Sequence, residues 1–311
     1  MKNTVGLDIG YDTLKLYLPE YDEPYGSEPS LIALNRDGSI AACGEDAKRL
    51  SRRIPGGVSL IHPFSGDRSP LPAHSEAFFR YLVKSRRLKG RDLLLSFSGA
   101  RDDTVERGFV EAAQKAGFRD IAAVDPLFAA LNGCGITAAG ESAILNLGAS
   151  VADMGCFVRG KAAGVRTVSC AGNRFSQAIV SYVFRAHKLS LGREEADAVK
   201  AAIGTLSPTG ALTYEAVAMR PAVGLPKKIT LTENEISAAL EGVFDELADE
   251  ILSLVRGLRA EPDKIILTGG TARLKGLASA LAPLLCLPIT SPQEPEMTVI
   301  RGLAALIRGG V

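Results

Sequence analysis

Two stretches of the chain, "VGLDIGYDTLKLYL" (5–18) and "AILNLGASVADMGCF" (143–157), follow one plan. Each begins as an apolar strand, reaches an Asp or Asn, continues through one apolar residue and a glycine, and resumes as a second strand after a short turn. Asp8 corresponds to Asn146, and Gly10 corresponds to Gly148. A repeat of this kind predicts a duplicated fold.

The segments that follow the two hairpins repeat as well. "DLLLSFSG" (92–99) and "KIILTGG" (264–270) each lead from an apolar strand into a helix, and "DPLFAAL" (125–131) and "EMTVIRGLAAL" (296–306) are both typical of helices. The sequence therefore predicts an α/β protein made of two copies of hairpin, strand, helix, strand and helix. The predicted bounds are 1–138 plus 292–311 for domain I, with a small subdomain at about 27–62, and 139–291 for domain II, with a small subdomain at about 173–230.

A long amphipathic helix is predicted to begin at Thr232, because Glu235 follows at the spacing of a capping box. Apolar residues then recur at helical spacing from Ile236 to Leu258, which indicates a helix that packs against a core.

The composition excludes several classes of protein. The chain has 311 residues, of which 46% are hydrophobic and 23% charged, and its formal net charge is +1. These values are typical of globular domains and give no reason to expect a nucleic-acid partner. No signal sequence precedes the first strand, and no apolar run is long enough to span a membrane, so we expect a cytoplasmic protein.

Neither the cysteines nor the histidines are spaced as metal ligands. We expect reduced, buried thiols and structural or surface imidazoles. The residues concerned are Cys43, Cys134, Cys156, Cys170, Cys286, His62, His74 and His187.

The two hairpins suggest a phosphate-binding site. A tight turn directs consecutive backbone N–H groups towards one point, where they attract phosphate oxygens, and glycine lets the backbone approach closely. Two such turns that face each other across a cleft would hold one phosphate chain. Asp8 could then hold the water shell of Mg²⁺, and Lys15 could place a cation on a phosphate. An ordinary hairpin is the alternative.

The stretch "ILTGGTARLKGL" (266–277) offers a second element of such a site. Gly269 and Gly270 stand between a strand and a helix, where a flat base or a phosphate can approach the backbone, and Arg273 could stack on the base. A plain strand-to-helix turn is the alternative.

These motifs resemble the actin and Hsp70 superfamily, and within it the MreB family of bacterial actins. The resemblance covers about Val5 to Leu306 and rests on "GSEPSLIAL", "GEDAKRLSRRIPGG", "TVERGFVEAAQKAGF", "VDPLFAALNGCG", "GREEADAVKAAIGTL", "GLPKKITLTENEI" and "KIILTGGTARLKGL". It implies duplicated ribonuclease-H-like domains around a nucleotide cleft, binding of ATP or ADP with Mg²⁺, and self-association into filaments.

The resemblance also implies roles for single residues. Asp125 falls where the family has the Glu that orients the attacking water, which makes it the candidate catalytic residue. The implied nucleotide-binding residues are Asp8, Gly10, Thr13 and Lys15 in the first loop, Asn146 and Gly148 in the second, Gly172 near the phosphates, Asp197 and Lys200 on the helix that faces the nucleoside, and Gly269, Gly270 and Arg273 in the adenosine motif.

The chain departs from the family where the chemistry takes place. The family expects Asp-x-Gly-Thr in the first loop and Asp-x-Gly-Gly-Gly-Thr-Thr in the second, whereas this chain has Tyr11 and the run Asn146 to Ala152. Loss of a carboxylate at 146 removes about 1–4 kcal/mol of attraction for Mg²⁺. We therefore expect weak or absent hydrolysis, with binding retained.

Three hypotheses follow. The first is an MreB-like filament-forming protein that binds adenine nucleotide and hydrolyses it slowly or not at all. The second is a non-polymerising actin-fold scaffold or adaptor, a pseudo-ATPase. The third, an Hsp70-like or sugar-kinase-like ATPase, is disfavoured by the altered second loop and by the absence of a substrate-binding domain after Val311.

The stretch "KSRRLKGR" (84–91) is the candidate for direct membrane contact, because Leu88 stands among five cations. A solvated basic turn is the favoured interpretation, because one leucine buries too little area to anchor a protein. Insertion of Leu88 at the inner face of the cell membrane is the alternative.

Overall fold

The computed structural model describes residues 3–21, 25–53, 57–64, 72–99, 103–136, 141–158, 161–257 and 261–309. The chain divides into unit 1, which comprises Met1–Ala139 and Met297–Val311, and unit 2, which comprises Gly140–Glu296. The domain bounds given above stay a prediction, and the first of them, between 138 and 139, lies outside the described residues.

Unit 1 is built on a mixed sheet with the strand order β3-β2-β1-β7-β8 and carries a smaller sheet with the order β5-β4-β6. Its elements are β1 (Thr4–Ile9), β2 (Thr13–Tyr17), β3 (Tyr25–Pro29), β4 (Ile32–Leu34), β5 (Ile40–Cys43), α1 (Gly44–Arg53), β6 (Ser59–Ile61), α2 (Pro72–Arg86), β7 (Asp92–Phe97), α3 (Asp103–Ala116), β8 (Ile121–Ala123), α4 (Pro126–Gly133) and, at the far end of the chain, α9 (Thr298–Gly309).

Unit 2 repeats this plan with the order β11-β10-β9-β14-β15 and a separate two-stranded sheet, β12-β13. Its elements are β9 (Glu141–Leu147), β10 (Ala152–Val158), β11 (Lys161–Val168), α5 (Gly172–His187), α6 (Arg193–Ile203), β12 (Thr213–Arg220), β13 (Leu225–Thr232), α7 (Glu233–Arg256), β14 (Lys264–Thr268), α8 (Leu277–Leu285) and β15 (Ile289–Thr290). The two sheets have the same order and the same strand directions, which confirms the predicted duplication.

The alternation of side chains along β1 decides which face of the unit 1 sheet each residue reaches. Val5, Leu7 and Ile9 belong to the core on one face. Gly6 lies on the other face, where α9 packs, and Asp8 shares that face because side chains two residues apart point the same way.

The predicted amphipathic helix is confirmed as α7. Thr232 is its N-cap, and the reciprocal bonds of a capping box join Thr232 and Glu235. Ile236, Leu240 and Ile251 are fully buried, as expected for a helix with one apolar face. Leu258 lies outside the described residues.

The basic stretch 84–91 closes α2 and leads to β7. Leu88 is completely buried within the core of unit 1, whereas Lys84, Arg87 and Lys89 are exposed. The membrane-insertion alternative depended on the side chain of Leu88, and in this structure that side chain is not at the surface. None of the helices in the described ranges is long and apolar enough to cross a membrane.

Helices α4 and α9 pack closely because glycines meet backbone where they touch. A Cβ atom at Gly302 would lie 1.7 Å from the carbonyl oxygen of Ala129, and one at Gly133 would lie 2.0 Å from that of Thr298. Atoms cannot approach so closely, so either helix would have to move to accept a larger residue.

We therefore expect Gly302→Ala to lower the free energy of unfolding by about 1–3 kcal/mol, the usual range for overpacking. Gly242→Ala is the matched control, because Gly242 lies exposed in α7 with open space beside it. Alanine at that position should raise the free energy of unfolding by about 0.5–1 kcal/mol. Urea unfolding of both variants checks the prediction. Equal effects of the same sign would contradict it.

Candidate functional site

The first hairpin carries a buried ion pair. Asp8 in β1 lies directly opposite Lys15 in β2, and Lys15 Nζ is 3.1 Å from Asp8 Oδ2. Asp8 is 6% exposed, so the pair is largely removed from water. The sequence predicted a Mg²⁺ role for Asp8 and a phosphate role for Lys15. Here each side chain neutralises the other.

Residues outside the first hairpin stabilise its turn. Ser30 Oγ donates to the carbonyl of Gly10 at 2.7 Å, and Ser30 N donates to that of Asp12 at 3.0 Å. The ring of His62 stacks on Tyr11 with centroids 4.2 Å apart, and its Nδ1 lies 3.0 Å from the carbonyl oxygen of Tyr11. His62 is thus structural, as expected, and it contacts the residue that replaces the family's threonine.

Both hairpins require glycine at the same place. A Cβ atom at Gly10 would lie 2.5 Å from the carbonyl oxygen of Thr13, and one at Gly148 would lie 2.9 Å from that of Val151. Gly148 N also donates to Val151 O at 3.0 Å, which closes the second turn. These turns are therefore too tight for any larger residue at their first position.

The second hairpin keeps a carboxylate, although in another strand. Asn146 lies opposite Asp153 across β9 and β10, as Asp8 lies opposite Lys15. Asp153 is 2% exposed, and Thr167 Oγ1 donates to its Oδ1 at 2.6 Å. The sequence reasoning missed Asp153. The available signal was its position within the repeat, which matches that of Lys15.

The start of α5 is bonded to the second hairpin. Gly172 N donates to Gly148 O at 3.1 Å, and Asn173 N donates to Ala149 O at 2.6 Å. A Cβ atom at Gly172 would lie 2.4 Å from Thr271 Oγ1, so glycine is needed for this approach. Two leading N–H groups of the helix, which would otherwise attract an anion, are thereby occupied by the protein's own carbonyls.

Asp197 and Lys200, both on α6, form one polar cluster with α5. Lys200 Nζ donates to Gly172 O at 3.1 Å, to Ser176 Oγ at 2.6 Å and to Asp197 Oδ1 at 3.1 Å. Arg193 Nε donates to Asp197 Oδ2 at 2.9 Å. Burial raises the pKa of the Asp197 carboxyl, but the hydrogen bond from Ser176 and the charges of Lys200 and Arg193 outweigh burial and leave it below its ordinary value.

The predicted adenosine motif packs directly on the second hairpin. Gly269 has φ +87°, and a Cβ atom there would lie 2.3 Å from the carbonyl oxygen of Leu147. Thr271 Oγ1 donates to Gly148 O at 2.7 Å. Gly270 opens a 3-10 turn that ends at Arg273.

Arg273 points away from this packed region and forms an ion pair with Glu296. Its side chain is 65% exposed, so it is accessible to a ligand at the surface of unit 2.

Asp125 caps α4. Its Oδ1 accepts from Leu127 N at 2.8 Å and from Phe128 N at 3.2 Å. It follows β8, whose neighbour in the sheet is β7. The role of Asp125 in orienting water stays a prediction, since capping already explains a carboxylate at this position.

The predicted site residues therefore fall into two separate groups, one within each unit, which are called the unit 1 half-site and the unit 2 half-site. The unit 1 half-site contains Asp8, Gly10, Thr13 and Lys15 of the first hairpin, with Asp125 at the end of β8. The unit 2 half-site contains Asn146, Gly148, Gly172, Asp197, Lys200, Gly269 and Gly270, which hydrogen bonds and close packing connect, and Arg273 at its edge.

The expectation of buried thiols holds for Cys43, Cys156 and Cys170, but it is wrong for Cys286, which is exposed, and Cys134 is half-buried. All five cysteines are free, and burial raises the pKa of Cys43 to about 11 and that of Cys170 to about 12. Within the described residues, no group of three or more His, Cys, Asp or Glu side chains could hold a metal ion directly. Any cation would be held through water or through a bound phosphate.

The architecture is that of the actin-like proteins. The chain matches the crystal structure of MreB5 of Spiroplasma citri bound to ADP with a TM-score of 0.89 at 20% identity, covering 98% of this chain and 96% of the other. It matches the MamK double helical filament with a TM-score of 0.79 at 18% identity, covering 99% of each chain. The predicted fold class is confirmed.

The sequence comparisons identify the family. The model described as MreB/Mbl protein matches residues 2–309. The cell shape-determining protein Mbl of Bacillus subtilis (strain 168) is 26% identical over 322 residues, which cover 97% of this chain and 95% of the relative. The chain belongs to the MreB/Mbl family.

The Asp197 cluster should make stability depend on pH. The lowered pKa means that the ionised carboxylate stabilises the fold above its unfolded pKa of about 4, and that this contribution is lost as pH falls through the folded-state value. We expect Asp197→Asn to lower the free energy of unfolding by on the order of 1 kcal/mol at pH 7, a modest value because the Asp197 side chain is 35% exposed. Denaturant unfolding from pH 7 to pH 3 should show the difference from wild type shrinking below about pH 4.

Asp245→Asn serves as control, because Asp245 is exposed on α7. It should leave the unfolding free energy within about 0.5 kcal/mol of wild type at every pH. An Asp197→Asn effect that stays constant down to pH 3 would show that the carboxylate charge is not involved.

Proposed function

We propose that this protein is an MreB-like filament-forming protein that binds ATP or ADP and hydrolyses ATP slowly or not at all. The observation that carries this proposal is the combination of two preserved glycine turns with an amide in place of a carboxylate at Asn146. The glycine turns support nucleotide binding, and the amide at position 146 predicts slow hydrolysis.

Binding is supported by the shape of the turns. At Gly10 and Gly148 the turns are so tight that a Cβ atom would lie 2.5 Å or 2.9 Å from a carbonyl oxygen, and glycine at such a turn leaves room for an anion to approach the backbone. MreB5 of Spiroplasma citri has been solved bound to ADP, and we extend that ligand to this chain as part of the proposal.

The internal ion pairs predict that binding is weak. The three predicted cations Lys15, Lys200 and Arg273 are each paired with a carboxylate. A phosphate must compete with Asp8 for Lys15. The cost of separating Lys15 from Asp8 therefore reduces the free energy gained when Lys15 binds the phosphate.

Slow hydrolysis follows from what the second hairpin lacks. Asn146 carries no charge for Mg²⁺, and its Oδ1 already accepts a hydrogen bond from Thr268 Oγ1 at 3.3 Å. Val151 and Ala152 have no hydroxyl to offer a phosphate. A loss of about 3 kcal/mol from transition-state stabilisation slows turnover on the order of a hundredfold.

Among the described residues of the two hairpins, those of unit 1 fit Mg²⁺, and they would hold it through water. Asp8 is the carboxylate for that role, since its counterpart is Asn146 and the remaining carboxylate of the second hairpin, Asp153, is bonded to Thr167. When bound, Mg²⁺ would neutralise phosphate charge. Asp8 would orient its water ligands, while Lys15 would turn from Asp8 to the phosphate.

Self-association is proposed from the family. The MamK protein has been solved as a double helical filament, and an open filament requires only a repeated contact between unlike surfaces of one chain. Such a contact does not need rapid ATP hydrolysis. We place this assembly in the cytoplasm.

The first test is a calorimetric titration of ADP. Wild type should bind ADP, Asp8→Ala should lose most of the Mg²⁺-dependent affinity, and Arg273→Ala should bind about five- to tenfold more weakly because a guanidinium stacked on the base is lost. Phosphate release from ATP should stay near the rate without protein.

Arg119→Ala is the matched control for Arg273→Ala. Arg119 is also an exposed arginine with an acidic partner, Asp92, but it lies outside both half-sites. Its loss should leave ADP affinity unchanged. Absence of ADP binding by wild type, or turnover at the rate of an efficient ATPase, would contradict the proposal.

The second test is assembly. We expect wild-type protein to sediment and to form filaments in negative-stain micrographs, with or without hydrolysable nucleotide. Only monomer under every condition would contradict the filament proposal. Monomer without nucleotide binding would favour the scaffold, for which the occupied N–H groups of Gly172 and Asn173 are the structural argument.

A further inference from the structure

Three polar residues lie in a row across neighbouring strands of unit 1. Asp8 in β1 has Lys15 as its register partner in β2 and Ser96 as its register partner in β7. Register partners on adjacent strands point to the same face and lie about 5 Å apart. Lys15, Asp8 and Ser96 therefore form one continuous polar row on the same face of the sheet as Gly6, the face on which α9 packs.

Unit 2 contains the equivalent row. Asn146 in β9 has Asp153 as its partner in β10 and Thr268 as its partner in β14. There the hydroxyl is used, because Thr268 Oγ1 donates to Asn146 Oδ1 at 3.3 Å. Duplication thus places a hydroxyl at the same position in both sheets, at Ser96 and at Thr268.

The hydroxyl in unit 1 is not satisfied by the protein. Ser96 has no exposed surface, and its Oγ has no hydrogen-bond partner in the part of the chain that the structure describes. A buried hydroxyl without a partner destabilises a fold, so native proteins keep one chiefly where water or a ligand completes it. Asp8, beside it, engages Lys15 through Oδ2.

We propose that Ser96 is a positioning residue of the unit 1 half-site, whose hydroxyl binds a water ligand of the divalent cation that accompanies the nucleotide. This inference rests on the proposed nucleotide binding. Mg²⁺ retains several of its waters in proteins and is held through them by few side chains. Asp8 would accept hydrogen bonds from these waters, and Ser96 would bind a neighbouring water.

The same arrangement explains how Lys15 could exchange its partner Asp8 for a phosphate. Without a ligand, Lys15 neutralises Asp8 at 3.1 Å. With nucleotide bound, Lys15 would pair with a phosphate, and Asp8 would hold the water ligands of the cation in its place. Ser96 favours this exchanged state, because its hydroxyl gains a partner only then.

The test measures how much Mg²⁺ strengthens ADP binding. ADP is titrated into wild type, Ser96→Ala and Asp8→Ala, each with excess Mg²⁺ and each with EDTA, and the ratio of the two dissociation constants is compared. We expect Ser96→Ala to reduce that ratio about fivefold, as for one ordinary hydrogen bond, with the dissociation constant in EDTA unchanged. Asp8→Ala should abolish the Mg²⁺ dependence.

Ser75→Ala is the matched control. Ser75, in α2, is the other serine of the described residues with a buried, unpartnered Oγ, and it does not belong to the polar row. It should keep the wild-type ratio. Both alanine variants should melt at or above the wild-type temperature, because each removes an unsatisfied hydroxyl.

The outcomes separate the two proposals. A wild-type Mg²⁺ ratio in Ser96→Ala overturns the role of Ser96 while leaving nucleotide binding intact. A lower melting temperature with weaker ADP binding in both media also overturns it, since Ser96 would then be structural. Failure of wild type to bind ADP in either medium overturns the nucleotide proposal and this inference together.

Discussion

The tight turn after β1, repeated after β9, is the constraint on which both half-sites depend. A glycine at its first position lets the chain reverse within a few residues, and the reversal fixes the register of the strands on either side. That register brings Asp8 opposite Lys15 and Asn146 opposite Asp153. A larger residue at Gly10 or Gly148 would meet a carbonyl oxygen, and every cross-strand pair beyond the turn would shift with it.

The same geometry explains how the protein can tolerate an altered site. In unit 2 the hairpin, the start of α5 and the turn after β14 are joined by the protein's own hydrogen bonds, with Gly148 O accepting from both Gly172 N and Thr271 Oγ1. Such a half-site needs no ligand to keep its shape. Unit 1 differs, since its row of Lys15, Asp8 and Ser96 still ends in an unsatisfied hydroxyl. The two copies of one ancestral element have therefore diverged in how completely their buried polar groups are hydrogen-bonded within the protein.

Much of the fold could be predicted from the sequence because its signals are local. The repeat of strand, Gly and strand, and the Thr232–Glu235 capping box, each lie within a few residues, and the structure has both. The pairings were not predictable in the same way. The ion pair of Lys15 with Asp8 was not foreseen and Asp153 was overlooked, although both lie within the hairpins. Ser30 and Ser96 received no role, because their partners come from segments that only the folded sheet brings together. Leu88 looked exposed among its cations, although the core encloses it.

The position of α9 has a consequence for how the chain matures during translation. This helix packs on α4 and β1 although the whole of unit 2 separates it from them in sequence. The ribosome therefore releases every residue of unit 2 before unit 1 can be finished, and unit 2 is able to fold first. Until α9 arrives, the face of the first sheet that bears Gly6 and Asp8 lacks its apolar cover. A nascent chain thus exposes that surface to chaperones, and to neighbouring copies on the same messenger, for as long as its synthesis lasts.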